Sequence, residues 1–403
     1  MDIKIVPKEA HTRCYYLDKD LILMIRAKKD TVDKAESVIP FPSVDYYLYH
    51  VDTNTRENIL PNVNKYMVCD LHFCEKTVTQ VYFFYLEYTK YPVVTFSLFS
   101  YNISTQVCRE VYRFEDNIKR YESERKMELF ALNSNYFLMQ TKILTANIRG
   151  DYSGYTSFEI FLYDNNNRMK FEIADKRLLN GGIMQMIPLA KNVCAIRMGY
   201  NLVDENRSSF LMKKEAAEEF IGLISVSQFI SDMILKLPVF TMEYIDEVYY
   251  DMTLSDVSKQ GKYLIYSRIN TDDYSQEIIF YEYVKKDTLM VVNKNPYNRD
   301  LIMPCVLNKR PYLIRKKKNH REFYCIKKNN VMLKLPSDDE IVDLLNDFIV
   351  IKSHKRPLFK KPESYLEVYR YDDMTRVYRE KTDCTPQCMI NGGDDLLIFV
   401  EGK

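Results

Sequence analysis

A pair of strand-like runs recurs along the chain and is the feature that most constrains its fold. In each copy an apolar run is followed, after a variable connection, by an aromatic-rich run that ends in a polar turn. A further strand-like run follows the turn, which is typical of a β-hairpin. The aromatic runs lie at 45–52, 95–102, 157–164, 276–283 and 364–371, with weaker copies at 219–226 and 321–326. The turns recur every roughly 53 residues, enough for one four-stranded unit.

The apolar run that precedes each aromatic run occupies an equivalent place in seven copies. These runs lie at 21–26, 81–87, 136–140, 193–198, 263–268, 312–315 and 348–351. An eighth, at 396–400, stands alone near the C-terminus. Short polar turns before several of them indicate a further strand, so each repeat contains four strands, A to D. Because no sustained helical period lies between the runs, the sequence predicts an all-β protein.

Four antiparallel strands per repeat form the blade of a β-propeller. The chain resembles β-propeller repeat proteins over essentially its whole length, although only in strand rhythm. The resemblance implies a single domain over 1–403 with seven or eight four-stranded blades, eight being favoured, and a ring closed by strands from both termini. The chain has no Trp, so the Trp-Asp dipeptide of the WD-repeat family is missing. No kelch-type glycine pair recurs either, and no specific family is indicated.

Composition limits the classes of partner. The 57 basic and 56 acidic residues leave a formal net charge of +1, which argues against nucleic acid as the ligand of the whole chain. The start has no secretory signal, and the most apolar stretch, 221–237, is polar-interrupted and too short to span a membrane. Nine scattered cysteines are expected to be reduced thiols. We therefore expect a cytoplasmic protein without membrane contact, whose partner is a protein or peptide.

The sequence contains none of the common short motifs for catalysis or cofactor binding. No glycine-rich nucleotide loop, nucleophile elbow or zinc-protease motif occurs, so no catalytic residue and no cofactor are assigned. Cys69, His72 and Cys74 cannot all share one face of a strand, and Cys384 and Cys388 lack the usual zinc spacing, so no metal is expected. The segment 392–395 is interpreted as a hairpin turn.

Two basic segments, 315–321 and 352–361, connect strands B and C of consecutive repeats. The B–C and D–A connections of a blade emerge at the same edge, so these segments are expected to be neighbours. They predict a surface for an anionic partner, the alternative being solvated turns. Acidic stretches expected at the same edge weaken the case for nucleic acid. The predicted binding residues are Arg315, Lys316, Lys317, Lys318, Arg321, Lys355, Arg356, Lys360 and Lys361.

Two functions from different classes follow from this sequence. The first is a non-catalytic binding scaffold that presents its loop-rich face to a protein or peptide, an expectation based on analogy of fold. The alternative is a propeller hydrolase or lyase acting on a small or saccharide substrate in the central channel. A cluster of two or three carboxylates with Arg or His in the channel would favour the enzyme, whereas an apolar or Tyr-rich flat face would favour the scaffold. Asp70, Glu128, Asp251 and Asp343 fall in or near the innermost strands and are the first candidates.

Overall fold

The structure is a computed structural model that contains 32 strands and two short helices in its described part. The described residues are 3–9, 12–18, 20–27, 44–59, 66–67, 70–73, 80–90, 93–117, 125–146, 152–201, 217–248, 251–254, 262–269, 275–293, 302–307, 310–345, 348–355, 363–382, 386–390 and 396–401. The fold is an all-β propeller, which confirms the predicted class. No helix in these ranges is long and apolar enough to cross a membrane.

The chain divides into two compact units, so the single domain predicted over 1–403 stays a prediction. The unit His11–Tyr250 contains four sheets. Sheet 1 has the order β2 (Thr12–Asp18), β3 (Leu21–Ala27), β4 (Val44–His50), β5 (Thr55–Asn58). Sheet 2 has the order β6 (Tyr66–Met67), β8 (Gln80–Lys90), β9 (Val93–Asn102), β10 (Val107–Asn117). Sheet 3 has the order β7 (Asp70–Phe73), β11 (Arg125–Ala131), β12 (Tyr136–Ala146), β13 (Tyr152–Asp164), β14 (Met169–Glu172). Sheet 4 has the order β15 (Ile183–Ala190), β16 (Val193–Asn201), β17 (Ala217–Ser225), β18 (Glu243–Val248).

The other unit, Met1–Ala10 with Asp251–Lys403, contains the remaining four sheets. Sheet 5 has the order β19 (Asp251–Leu254), β20 (Tyr263–Ile269), β21 (Gln276–Glu282), β22 (Asp287–Asn293). Sheet 6 has the order β23 (Ile302–Leu307), β24 (Arg310–Lys316), β25 (His320–Cys325), β26 (Asn330–Pro336). Sheet 7 has the order β27 (Glu340–Leu345), β28 (Phe348–Lys355), β29 (Glu363–Arg370), β30 (Arg376–Lys381). Sheet 8 has three strands, β31 (Gln387–Ile390), β32 (Leu396–Glu401) and β1 (Ile3–Lys8).

Each apolar run predicted from the sequence is the second strand of its sheet except 136–140, which is the third strand of sheet 3 because β7 adds to the edge of that sheet. Seven sheets carry a full set of strands, which gives a seven-bladed arrangement. Sheet 8 mixes strands from both termini, as predicted, because β1 pairs in parallel with β32. It lacks a fourth strand among the described residues, so it is a partial sheet and not the complete eighth blade that the sequence favoured.

Each second strand is apolar because both of its faces are covered. In β28, Ile349 and Ile351 pack against sheet 6, whereas Val350 between them packs against sheet 8, and all three are fully buried. In β12, Phe137 and Leu138 likewise belong to two different clusters. Covering both faces removes the polar alternation expected of a half-exposed strand, and it fixes which neighbouring sheet each side chain contacts.

The hairpins between the third and fourth strands share one turn geometry. In six sheets a residue other than glycine adopts a positive φ in the turn before the last strand. The residue immediately precedes that strand or lies one position earlier. These residues are Asn54, Gln106, Arg168, Lys286, Asn329 and Met374. This pattern fits a type I turn closed by a left-handed residue. It explains why the predicted polar turns recur at matching places.

The prediction of a hairpin near Val226, the only one of the seven not accounted for above, is wrong. The structure has helix α2 (Val226–Ile234) there, between β17 and β18; the other helix, α1 (Lys176–Gly181), precedes sheet 4. The Ser225 side chain caps α2 by accepting a hydrogen bond from the Gln228 amide. Apolar residues at helical spacing, Phe229, Ile230 and Met233, then pack into the core. A cap followed by a short amphipathic run is the local signal for this helix.

Candidate functional site

The first predicted basic segment is a hairpin of sheet 6 whose side chains point to two different sides. Lys316 is paired with Arg321 across the hairpin, so these two share the face of Ile314 and Phe323, which packs against sheet 7. Arg315 lies on the opposite face, where its guanidinium stacks 3.5 Å from the Tyr324 ring centre. A short turn, closed by the Lys317 amide donating to the His320 carbonyl at 2.8 Å, carries Lys317 and Lys318.

The second segment begins at the end of β28. Side chains alternate between the two faces of a strand, so Lys355, four residues after Ile351, lies on the same face as Ile351. That face of sheet 7 is turned toward sheet 6. Lys316, Arg321 and Lys355 thus line the facing surfaces of two adjacent sheets at the edge where both B–C connections begin. Arg356, Lys360 and Lys361 lie outside the described residues. Whether these residues bind an anion stays a proposal.

Three more side chains complete this surface. Ser353 lies between Ile351 and Lys355 on the same face of β28, opposite Tyr365 of β29. The Tyr365 ring lies between two cations, with the Arg379 guanidinium 4.0 Å and the Lys355 ammonium 5.8 Å from its centre. We name the space between the facing sheets the Arg321–Ser353 groove. It is lined by Lys316, Arg321, Ser353, Lys355, Tyr365 and Arg379.

A buried carboxylate holds one side of the groove. Glu367 is only 7% exposed. Its carboxylate accepts hydrogen bonds from the Tyr369 hydroxyl at 2.9 Å and from Arg376 at 3.2 Å. Arg379 Nε lies 3.2 Å from the same carboxylate as an ion pair, but its N–H is not aligned with the oxygen and makes no hydrogen bond. Burial, helped by the hydrogen bond to Glu367, raises the pKa of Tyr369.

Three polar atoms of the groove are buried without a hydrogen-bond partner. They are Arg321 Nε, Ser353 Oγ and Arg379 Nε. Buried polar groups in folded proteins are almost always hydrogen-bonded, and each exception requires a physical explanation. Arg379 Nε faces the Glu367 carboxylate, which leaves Arg321 Nε and Ser353 Oγ as the atoms of this surface without a partner among the described residues.

A serine and a histidine form a pair on the other face of the same strand ends. Ser364 and His354 are cross-strand partners in β29 and β28, and Ser364 Oγ lies 2.9 Å from His354 Nδ1. The Thr382 amide donates to the Ser364 carbonyl at 2.9 Å, which fixes the serine backbone. A serine within hydrogen-bond distance of an imidazole is the arrangement of an activated nucleophile and its base.

Asp339 positions the histidine from the connection that precedes β27. Its carboxylate is 6% exposed and accepts a hydrogen bond from the His354 backbone amide at 2.9 Å. Burial raises the pKa of Asp339, and the charge of Glu367 adds to that increase. Two carboxylates, Asp339 and Glu367, therefore stand close enough at this edge to influence each other.

Of the four carboxylates singled out from the sequence, Asp251 in β19 and Asp343 in β27 lie on the first strands of their sheets. Asp70 in β7 and Glu128 in β11 are register partners on two neighbouring strands of sheet 3. Glu128 is buried and accepts a hydrogen bond from Gln140 Nε2 at 2.7 Å. The structure therefore brings Asp70 and Glu128 together, but it does not gather all four residues into one site within either unit. Among the described residues no cluster of three or more His, Cys, Asp or Glu could hold a metal. Cys69, Cys74 and Cys384 fall outside the described ranges.

Sequence reasoning missed the Ser364–His354 pair. The two residues are ten positions apart, and no motif connects them, because the hairpin register alone brings them together. One signal was available, because the prediction of 364–371 as strand C places Ser364 beside the end of strand B. The residue of strand B that lies opposite Ser364 depends on the length of the B–C connection, which the sequence does not specify.

No protein-family model matches the chain, and no curated protein matches it. Solved structures do match. Dipeptidyl peptidase 4 of Porphyromonas gingivalis aligns with a TM-score of 0.51 at 9% identity, covering 93% of this chain and 55% of that one. The β-propeller domain of the Trilobed protease from Pyrococcus furiosus aligns at 0.42 and 10% identity, covering 91% and 97%. The Pyrococcus horikoshii acylaminoacyl peptidase aligns at 0.41 and 11% identity, covering 94% and 55%.

These similarities at low identity show the fold. The chain spans about half the length of the dipeptidyl peptidase. The likeness to the dipeptidyl peptidase also corrects our first functional expectation, because the non-catalytic scaffold was inferred mainly from analogy with other propellers. That structure is of a peptidase, so the analogy contradicts the scaffold.

Proposed function

We propose that this chain is a peptide hydrolase in which Ser364 is the nucleophile and His354 the general base. The single observation that carries the proposal is the 2.9 Å contact between Ser364 Oγ and His354 Nδ1. The likeness in fold to a dipeptidyl peptidase supports a peptide as the substrate. The partner is then a peptide, as the sequence analysis expected on other grounds.

The chemistry assigned to the pair is acyl transfer. With the imidazole protonated at Nε2, the Ser364 hydroxyl donates to Nδ1 and gives up its proton as Oγ attacks the carbonyl carbon of the substrate. The tetrahedral intermediate collapses when the imidazolium returns the proton to the leaving amine. Water then attacks the acyl-serine ester, His354 accepts its proton, and the acid product and the free hydroxyl are restored.

Asp339 acts through the backbone of the base. Its hydrogen bond to the His354 amide fixes the strand end that carries the imidazole. This makes Asp339 a positioning residue. Asp339→Ala removes the acceptor for the amide, so turnover falls while substrate affinity changes little, whereas Asp339→Asn keeps an acceptor and should retain turnover.

The test is hydrolysis of a library of short fluorogenic peptides, together with labelling by a fluorophosphonate that reacts with activated serines. We expect wild-type protein to be labelled and active. Ser364→Ala abolishes both readouts, and His354→Gln reduces turnover at least about 100-fold, the usual contribution of a general base. The control is Ser337→Ala, which removes a serine at the same edge that contacts Asp338 and no histidine. Equal labelling of wild type and Ser364→Ala would refute the assignment.

We also propose a cytoplasmic location for this activity. The support is that Cys108, Cys305 and Cys325 are free thiols, which fits a reducing compartment. Fractionation of cells that produce the tagged chain, with a cytosolic marker as reference, tests the location.

A further inference from the structure

We infer that the Arg321–Ser353 groove is a binding site for an oxyanion, such as the carboxylate of a peptide end or a phosphate group. This inference goes beyond the proposed hydrolysis and does not depend on it. It starts from two buried polar atoms that lack partners, Arg321 Nε and Ser353 Oγ. Both belong to groups that can donate a hydrogen bond, so the missing ligand is an acceptor.

Register places these atoms around one space. Arg321 lies two residues beyond Phe323 on β25, and Ser353 lies two residues beyond Ile351 on β28, each toward the same edge. Phe323 and Ile351 belong to one core cluster between sheets 6 and 7. The polar atoms therefore continue the contact surface of the two sheets outward, where the apolar packing ends.

The charge of the groove selects an anion. Glu367 forms ion pairs with both Arg376 and Arg379, and its single charge offsets only one of the two. Lys316, Arg321 and Lys355 make no ion pair with any residue that the structure describes. A guanidinium, a hydroxyl and two ammonium groups match the oxygen atoms of a carboxylate or phosphate.

Ser353 shows that the site is internal and not a chance cluster of surface lysines. Its side chain is 7% exposed, and its hydroxyl lacks a partner. A buried hydroxyl without a hydrogen bond destabilises the fold. An oxyanion that accepts from Ser353 Oγ and Arg321 Nε removes that cost, so binding and stability are linked.

Calorimetric titration of the full chain tests the site, with inorganic phosphate in one arm and a tripeptide acid beside its C-terminal amide in the other. Arg321→Gln should weaken anion binding about 10- to 100-fold, the effect of losing a hydrogen bond between charged groups. Lys316→Gln should weaken it less and flatten its salt dependence. The matched control is Arg315→Gln, an arginine of the same hairpin that faces the other side, and we expect a change within twofold.

The two arms identify the source of the oxyanion. Preference for the tripeptide acid over its amide assigns a peptide end, whereas binding of phosphate alone assigns a phosphate group. Equal effects of Arg321→Gln and Arg315→Gln, or no binding of any probe, overturn the inference. Hydrolysis is not measured in these titrations, so their failure is distinguishable from failure of the proposed activity.

The melting temperature of Ser353→Ala, with and without phosphate, is a second test that does not depend on the arginine and lysine variants being folded. Ser353→Ala should raise the melting temperature without anion, because it removes an unsatisfied hydroxyl, and should reduce the further increase that phosphate produces. A lower melting temperature for Ser353→Ala without anion would mean that the hydroxyl is already satisfied, which would also overturn the inference.

Discussion

Replacing Gln140 by leucine tests how a buried polar side chain joins sheets 3 and 4. Gln140 is fully buried in β12. Its Nε2 donates to the Glu128 carboxylate at 2.7 Å and to the Ile183 carbonyl at 2.9 Å, and its Oε1 accepts from the Ile183 amide at 2.7 Å. Leucine has a similar volume, so Gln140→Leu removes these three hydrogen bonds while leaving little cavity.

The expected loss follows from the groups that remain. Two buried backbone groups of Ile183 lose a partner, at about 1–3 kcal/mol each, and a buried carboxylate loses a donor. Because such terms are not additive, we expect a decrease of about 3–5 kcal/mol in the free energy of unfolding, comparable to breaking a buried ion pair. The double variant Glu128→Leu with Gln140→Leu should recover part of it, since the buried carboxylate is then absent.

Urea unfolding followed by circular dichroism measures these differences, and hydrogen exchange of β12 and β15 localises them. The control is Gln185→Leu, a half-buried glutamine of β15 that bonds Arg197 at 3.3 Å. We expect a change within about 1 kcal/mol there, because solvent replaces the lost contact. A loss no larger for Gln140→Leu than for Gln185→Leu would refute the reasoning.

Three further predictions concern other parts of the chain. Burial raises the pKa of Asp343, so ionisation of this carboxyl destabilises the folded state as pH rises through that pKa. Asp343→Asn should therefore raise the melting temperature at pH 8. It should leave the melting temperature unchanged below about pH 4, where the carboxyl is protonated in both states. Gly222→Ala should destabilise by about 1–3 kcal/mol in thermal melts, because the new methyl group would meet the Met242 side chain and lie 2.9 Å from the Glu243 carbonyl. Alkylation of denatured protein without reductant should modify all nine cysteines by intact mass, and in the native state the half-buried Cys108 should react before the buried Cys305.

The strand rhythm was predictable because its signals are local. Apolar second strands and polar turns follow directly from burial on both faces and from the shared turn geometry. Strand β7 was not predictable, because its four residues leave sheet 2 and pair in parallel with β11 of sheet 3. Pairing between sheets leaves no periodic mark in so short a segment.

The candidate site was predictable in position but not in detail. Adjacent repeats placed the two basic segments at one edge, and Lys316, Arg321 and Lys355 do share it. The separation of Arg315 from Arg321 depends on the hairpin register, in which Lys316 opposes Arg321. A turn one residue longer or shorter would exchange the faces, and the sequence does not specify that length.

The parallel pairing of β1 with β32 leaves β1 without its partner during much of synthesis. Ile3 pairs with Leu396, so roughly 390 residues are made between the two strands. At about 5–20 residues per second, that interval lasts tens of seconds. Throughout it β1 is an unpaired edge carrying Val6, a side chain that is buried once folding is complete. Nascent chains are therefore exposed to mispairing at β1, and a chaperone that shields this strand would have to stay until β32 is available.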